Sequence, residues 1–416
     1  MIERADVIVL GAGIVGISTA IHLQERGRSV LLVERRAPGE ETSYGNAGVI
    51  ERESLVPVTV PRRLSDLIPF ALNRKVAAHY RLADLPRFLP WLNSLSRNSA
   101  PAAVDRYAAA SDALSREAAR EHHRLAGPSG VEPLFRKTGW LRLFRSPQSF
   151  AAAQTAHLAR AKRYALPFDI LTPEEAGDIE PHLSPAFYRA VLWPETESVA
   201  SPGRVTKSYA EHFVGIGGHY MKTEARAIRP LSDGGFEIET GGAPLHAGQV
   251  VVALGPWSMD LLGPLGYRMP LAPKRGYHRH YRPQGNASLG RPVVDMDNGY
   301  AITPMLDGIR ITSGIEFADR DAPPTPVQLA RAEPLARELF PLGEPVEEKP
   351  WMGARPCFPD SLPAIGEAPR HKGLWFNFGH GHLGFTQGPI SGRLLAELMT
   401  WSSPCVDPAP YSPARF

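Results

Sequence analysis

Apolar and polar positions change rhythm several times within the first 36 residues. Val7 to Leu10 is an unbroken β-branched and apolar run, the pattern of a parallel strand covered on both faces. Glycines then punctuate Gly11 to Gly16, and Ile14 to Arg26 has helical character, with Gly27 placed as a left-handed stop. Val30 to Val33 is apolar again and runs into Glu34. The far end mirrors this order: Trp375 to Phe378 predicts a strand, Gly379 to Gly384 a flexible turn, and Thr386 to Met399 a helix.

Between these ends, Gly139 to Phe144 and Gly308 to Ala318 predict strands and Ser149 to Ala165 a helix. Thr172 to Pro181 reads as a capped helix start. Arg62 to Ala100 is different. It sets seven Lys or Arg against Asp66 and Asp84, with Leu, Ile, Phe and Trp between them. Pro69, Pro86 and Pro90 break its period, so a helical cap with a solvated basic face is favoured over docking on anionic lipid.

A chain of 416 residues, 43% hydrophobic and 21% charged, exceeds one core and predicts two domains. A formal charge of +3 gives no case for nucleic acid as a partner. Cys357 and Cys405 make neither a disulfide framework nor a metal motif, and the histidines lack the spaced partners a metal requires. No signal peptide and no spanning run are read, so a cytoplasmic protein is expected, at most peripheral on the cytoplasmic face of a membrane.

The glycine turn is where chemistry enters. Gly11-Ala12-Gly13-Ile14-Val15-Gly16 fits GxGxxG: Gly11 makes the tight turn, Gly13 admits a pyrophosphate to the backbone, and Gly16 lets helix approach strand. The helix N-terminus offers free N–H groups to phosphate. Glu34, eighteen positions after Gly16, suits a ribose diol and repels a 2′-phosphate, which disfavours NADP. FAD and NAD remain open on these residues. The next stretch, Arg35 to Ile50, has no helical period, whereas an NAD enzyme would normally begin another strand–helix unit. Thr42, Ser43, Asn46 and Gly48 suit an extended cofactor.

Four motifs now carry a resemblance: GAGIVG with the later E-R and E-T-S-x-x-N-A-G; VVVALGPWS from Val250; WMGARPCFPDSLPAIGEAP from Trp351; and NFGHGHLGFTQGPISGRLLAELM from Asn377. Together they are similar to the D-amino-acid oxidase superfamily of flavoproteins, and within it to the bacterial D-amino acid dehydrogenase branch. The resemblance implies an α/β fold, a Rossmann-like FAD-binding domain from residues 1–65, 195–265 and 350–416, and an interleaved substrate domain on an antiparallel or mixed sheet from 66–194 and 266–349. FAD is the implied cofactor. Its implied contacts are Gly11, Gly13, Ile14, Val15, Gly16, Glu34, Arg35, Thr42, Ser43, Asn46, Ala47, Gly48, Ala225, Ala253, Gly255, Trp257, Gly381, His382, Leu383, Gly384, Phe385 and Thr386.

The implied reaction is oxidative deamination of a D-amino acid, or of a cyclic imino acid such as D-proline or D-hydroxyproline, by hydride transfer from Cα to flavin N5. Electrons would pass to a quinone or an electron-transfer protein. Arg355 matches the family arginine that grips the substrate carboxylate, and Tyr300 a tyrosine that hydrogen-bonds it. Tyr277 and His278 are placed at the substrate mouth and His380 near the ring. The alternatives are an oxidase that uses O₂, as glycine and sarcosine oxidases do, and a non-catalytic FAD-binding subunit. His382 and Gln387 depart from the dehydrogenase pattern and reshape the site above the ring. Cys357 lies near the element through which some relatives tether FAD, but an unmodified buried thiol is expected.

Overall fold

The computed structural model describes residues 4–61, 64–232 and 234–416, so Arg62 and Arg63 of the basic segment lie outside the described residues. Three parallel strands form the frame expected from the opening pattern: Val30–Glu34, Arg4–Leu10 and Leu245–Val252 lie side by side in that order. His219–Lys222 adds beyond Val30–Glu34, and Leu374–Phe378 joins the far half of Leu245–Val252, both parallel. Antiparallel strands Ala227–Pro230, Phe236–Glu239 and Ala364–Glu367 complete eight. Parallel strands must be covered on both faces, and two separate apolar clusters do so.

The upper cluster contains the first helix, Ile14–Glu25, and the last, Gly384–Met399. They cross backbone to backbone. A Cβ on Gly392 would stand 2.6 Å from the Thr19 nitrogen and 2.8 Å from the Ser18 carbonyl carbon, and one on Gly388 3.1 Å from an Ile14 methyl. Asn377 Nδ2 donates to Thr19 Oγ1 at 3.0 Å, tying the last parallel strand to the first helix. Pro101–Ala126, a 26-residue helix, covers the last helix from outside through Leu114, Ala118 and Leu125.

The second sheet has eleven strands. Its spine is the twelve-residue strand Ala272–Pro283, which contains the K-R-G-Y-H-R-H-Y run. Ile315–Phe317 and Gly308–Thr312 pair with one edge and Trp351–Cys357 with the other, all antiparallel. Trp351–Cys357 therefore lies in this sheet and not in the parallel one. The helix expected over Ser149 to Ala165 is Pro147–Ala153 and Ala159–Arg163, joined by a π-helical turn at Gln154–Leu158. Leu85–Asn98 runs through Pro90 because its buried face, Phe88, Trp91 and Leu95, packs beside Ala272 and Cys357. Among the described residues no helix is long and apolar enough to cross a membrane.

Gly392→Ala is expected to lower unfolding stability by about 1–3 kcal/mol, since the crossing helix has no room to yield. Urea unfolding measures this, and an unchanged midpoint would show that the helices can separate freely.

Candidate active site

A cleft of about 530 Å³ runs between the two sheets, from Gly11, Gly13, Glu34 and Arg226 at one end to Arg355, Trp140 and Phe385 at the other. Its first end is built by the glycine turn. Gly11 has φ +106°, and a Cβ on Gly16 would collide with the Gly11 carbonyl. Ile14 N donates to Ser43 Oγ at 3.0 Å, so the segment after the second strand folds back over the helix start. No acidic side chain occupies the helix's first turn, which leaves its positive end free for an anion. Glu34 is held by backbone donors, Ala12 N at 2.9 Å on Oε2 and Arg35 N at 2.8 Å on Oε1. Burial raises its carboxyl above the ordinary glutamate value despite those bonds.

Of the expected cofactor contacts, Ile14, Val15, Arg35, Thr42, Asn46, Ala47, Ala225, Ala253, Gly255, Trp257, Gly381, His382, Gly384 and Phe385 also line the cleft. Gly16, Gly48, Leu383 and Thr386 do not. Gly16 and Gly48 are packed against backbone, at Gly11 and Val199 respectively. Leu383 is buried, and Thr386 Oγ1 donates to the Val49 carbonyl at 3.1 Å and accepts from Glu51 N at 3.2 Å. Those four residues shape the wall without facing the cavity. The N-terminus of the last helix does face it, at Gly384 and Phe385, without an acidic residue in its first turn.

The expected substrate residues divide. Arg355 lines the cleft, its Nη1 donating to the Gly314 carbonyl at 3.0 Å and its Nη2 to that of Ser313 at 3.4 Å. Gly276 lies across the strand pair, and a Cβ there would stand 2.6 Å from the guanidinium. Three arginines line the cleft: Arg35 pairs with Glu41, Arg226 lies 3.8 Å from Glu224, and Arg355 has no carboxylate within 4.0 Å among the described residues. A guanidinium enclosed without a counter-charge is an anion site. Burial lowers its pKa without discharging it.

Tyr300 is a correction. Strand alternation turns it away from the cleft, where its neighbour Ala301 faces inward, and its hydroxyl lies 3.5 Å from Arg145 beside Asp295. His278 is another: its ring stacks on Trp351, centroids 4.8 Å apart, and it is the Trp351 ring that meets the cavity. Tyr277 follows Gly276 on the cleft wall, but its side chain lies on the opposite face with Arg275, in the core of the second sheet. Its hydroxyl donates to Glu316 Oε2 at 2.6 Å and accepts from Arg275 and the Thr325 amide.

His380 lines the wall with Nε2 3.0 Å from Ser391 Oγ, and burial holds its pKa down to about 3. Ser391 Oγ already donates to the Gly388 carbonyl, so the ring nitrogen is the donor between them. His382 opens onto the cavity. Enclosure, then the charges of Arg355, Lys274 and Arg142, keep it neutral with a pKa of about 3. Cys357 is buried off the cavity wall, near Gly381, with its thiol pushed up by burial. No group of three or more potential metal ligands occurs among the described residues.

Sequence reasoning missed a further part of the wall, where Trp140 and Glu51 line the cavity. Behind them Glu53 accepts from Trp140 Nε1 at 2.6 Å, Arg142 Nη2 at 2.7 Å and Thr196 Oγ1 at 2.5 Å. Glu51 reaches the same Arg142 only at 3.7 Å. Burial, then the charge of Glu53, push Glu51 up to about 7. The one available signal was two glutamates a residue apart, just after the two-residue strand Val49–Ile50 that follows the N-A-G motif.

Taken together, parallel frame, glycine turn, ribose-binding acid and elongated cleft define a dinucleotide-cofactor protein with an anion site at the far end. Residues 6–398 match the DAO family, described as FAD dependent oxidoreductase. The chain is 30% identical over 428 residues to a D-amino-acid oxidase of Bradyrhizobium diazoefficiens, with 100% of both covered. It is also 30% identical to a glycine oxidase of Pseudomonas aeruginosa (100% of this chain, 99% of the other) and to D-amino acid dehydrogenase 2 of that organism (96% of each). A crystal structure of glycine oxidase from Geobacillus kaustophilus shares the fold with a TM-score of 0.77 at 24% identity, covering 100% of this chain and 99% of that one. The chain belongs to the DAO family of FAD-dependent oxidoreductases, and FAD is its cofactor.

A raised acid costs the folded state when ionised. The contribution of Glu51 is fully present below its ordinary value of 4.5 and is lost as pH rises through about 7. Glu51→Gln is therefore expected to be more stable than the parent by about 1–3 kcal/mol at pH 8 and by little at pH 4. Denaturation at both pH values tests this, and a gain of equal size at both would contradict it.

Proposed function

We propose that this protein oxidises a D-amino acid, or a related cyclic imino acid, at the Cα–N bond and passes the electrons to an acceptor other than O₂. The observation that carries the reading is Arg355, the cleft-lining guanidinium with no carboxylate partner among the described residues. Two of its five N–H donors serve backbone carbonyls, which fix its plane and leave donors for a carboxylate. When bound, FAD supplies the two-electron acceptor that takes the Cα hydrogen as hydride, and it returns to its oxidised form by reducing the second acceptor.

The chain's own groups have limited tasks. Arg355 orients the acid, and the glycine at position 276 leaves room for it to do so. Both His380 and His382 stay neutral above acid pH and add no charge. No protein base is required at Cα, because the hydrogen leaves with its electron pair. The product imine loses its nitrogen to water outside any step the protein must catalyse. The start of the last helix, free of acidic residues in its first turn, favours negative charge gathering near that wall.

D-configuration is supported by two of the named relatives, and the dehydrogenase form by one. A glycine oxidase at the same identity supports the second reading, an oxidase that uses O₂. Anaerobic mixing of the FAD-loaded protein with D- and L-amino acids, prolines and N-methyl amino acids is expected to bleach the flavin band with D-substrates. Admission of air should then restore the colour slowly and an artificial quinone quickly. Arg355→Ala is expected to weaken substrate binding by about 2–5 kcal/mol while the flavin stays bound. Tight binding by that variant would remove Arg355 from the carboxylate role.

A further inference from the structure

Charges on the cleft wall are matched almost everywhere. Glu34 is taken by backbone donors, Glu41 by Arg35 and Arg36, Glu224 lies by Arg226, and Asp260 by Arg320. Two groups are left over, and they have opposite signs. Arg355 is one. Glu51 is the other, because two carboxylates face the single guanidinium of Arg142 and Glu53 holds it at 2.7 Å, with Trp140 and Thr196 completing its bonds. At 3.7 Å, Glu51 is left with a poor share. Only 15% of its side chain is exposed, and that part opens on the cavity beside the Trp140 ring.

A buried carboxylate in excess of its cations is costly unless something positive arrives. The cation is then expected on the ligand. Glu51 and Arg355 are held apart by different partners: Glu51 lies against Arg142, which Glu53 holds, whereas Arg355 is anchored on the Ser313 and Gly314 carbonyls with no carboxylate within 4.0 Å among the described residues. In a substrate whose carboxylate is held at Arg355 the α-nitrogen stays two bonds from that carboxylate, and the side chain is the part free to extend along the wall to Glu51. The groups that act on Glu51 are Glu53 and Ser54 on its own segment, Arg142 on Trp140–Phe144 and the Tyr107 hydroxyl on Pro101–Ala126, while His382 lines the same cavity.

We propose that Glu51 receives a cationic group at the distal end of the substrate, so that the preferred substrates are amino acids whose side chain ends in an ammonium or guanidinium. This assignment rests on the carboxylate being held at Arg355. It makes Glu51 a specificity residue with no part in breaking the Cα–H bond. Trp140, buried and facing the cavity, offers its ring to the same cation.

Three amino acids of matched length separate the possibilities: lysine, norleucine and 2-aminoadipate, each as both enantiomers, mixed anaerobically with the FAD-loaded protein. The ratio of flavin reduction rate to dissociation constant is expected to favour lysine over norleucine by about tenfold or more, with 2-aminoadipate lowest. Glu51→Gln should bring the lysine-to-norleucine ratio close to one, whereas Glu51→Asp, which keeps the charge, should retain a preference. Flavin absorbance confirms that each variant is loaded. Norleucine equal to or better than lysine in the parent overturns the assignment and leaves Arg355 in place, and so does a preference that survives Glu51→Gln. Should no amino acid bleach the flavin, the proposed function falls and this assignment falls with it.

Discussion

Contact between the first and last helices, backbone against backbone at Gly392 and Gly388, is the constraint on which the rest of the molecule depends. It brings the end of the chain to the beginning. Once the helices touch, Leu374–Phe378 can add to Leu245–Val252, and Asn377 can reach Thr19. The G-H-G-H turn between strand and helix is then carried to the mouth of the glycine turn, and one continuous cleft results. A larger side chain at either glycine would push the two helices apart and open the cleft at its centre.

The second organising feature is how the protein handles buried charge. Arg275 and Glu316 are wholly buried and 2.7 Å apart, with Tyr277 bridging them, and Lys274 lies 4.4 Å above the Trp91 ring. Arg275, Glu316 and Tyr277 stiffen the long strand Ala272–Pro283 from behind, and the residue it turns to the cleft between them, Gly276, presents an uncharged surface.

The nucleotide end of the cleft was legible in the sequence because every requirement there is local. Gly11, Gly13, Gly16 and Glu34 are spaced by the geometry of one strand–helix–strand unit, and a reader who knows that geometry can place them. That Arg355 reaches the cleft was legible through its motif. Tyr300 and His278 were not, because which face of a strand a residue occupies depends on register with distant strands, here Val293–Asp295 and Trp351–Cys357. Motif position carries no such information. Glu51, Glu53, Trp140, Arg142 and Thr196 come from three separated segments that meet only when the small sheet of Val49–Ile50, Glu197–Val199 and Phe135–Arg136 forms between the two large ones. No spacing rule links them.

Interleaving also has a temporal side. Half of the parallel sheet's neighbours to Leu245–Val252 and the whole of the helix that closes the cleft come from residues after 373. A nascent chain that has emerged as far as the eleven-stranded sheet already owns its glycine turn, yet has nothing to clamp a dinucleotide against. Firm capture of the prosthetic group is thus expected to await the last strand and helix, and a chain cut before Leu374 to bind it weakly however well its first 350 residues fold.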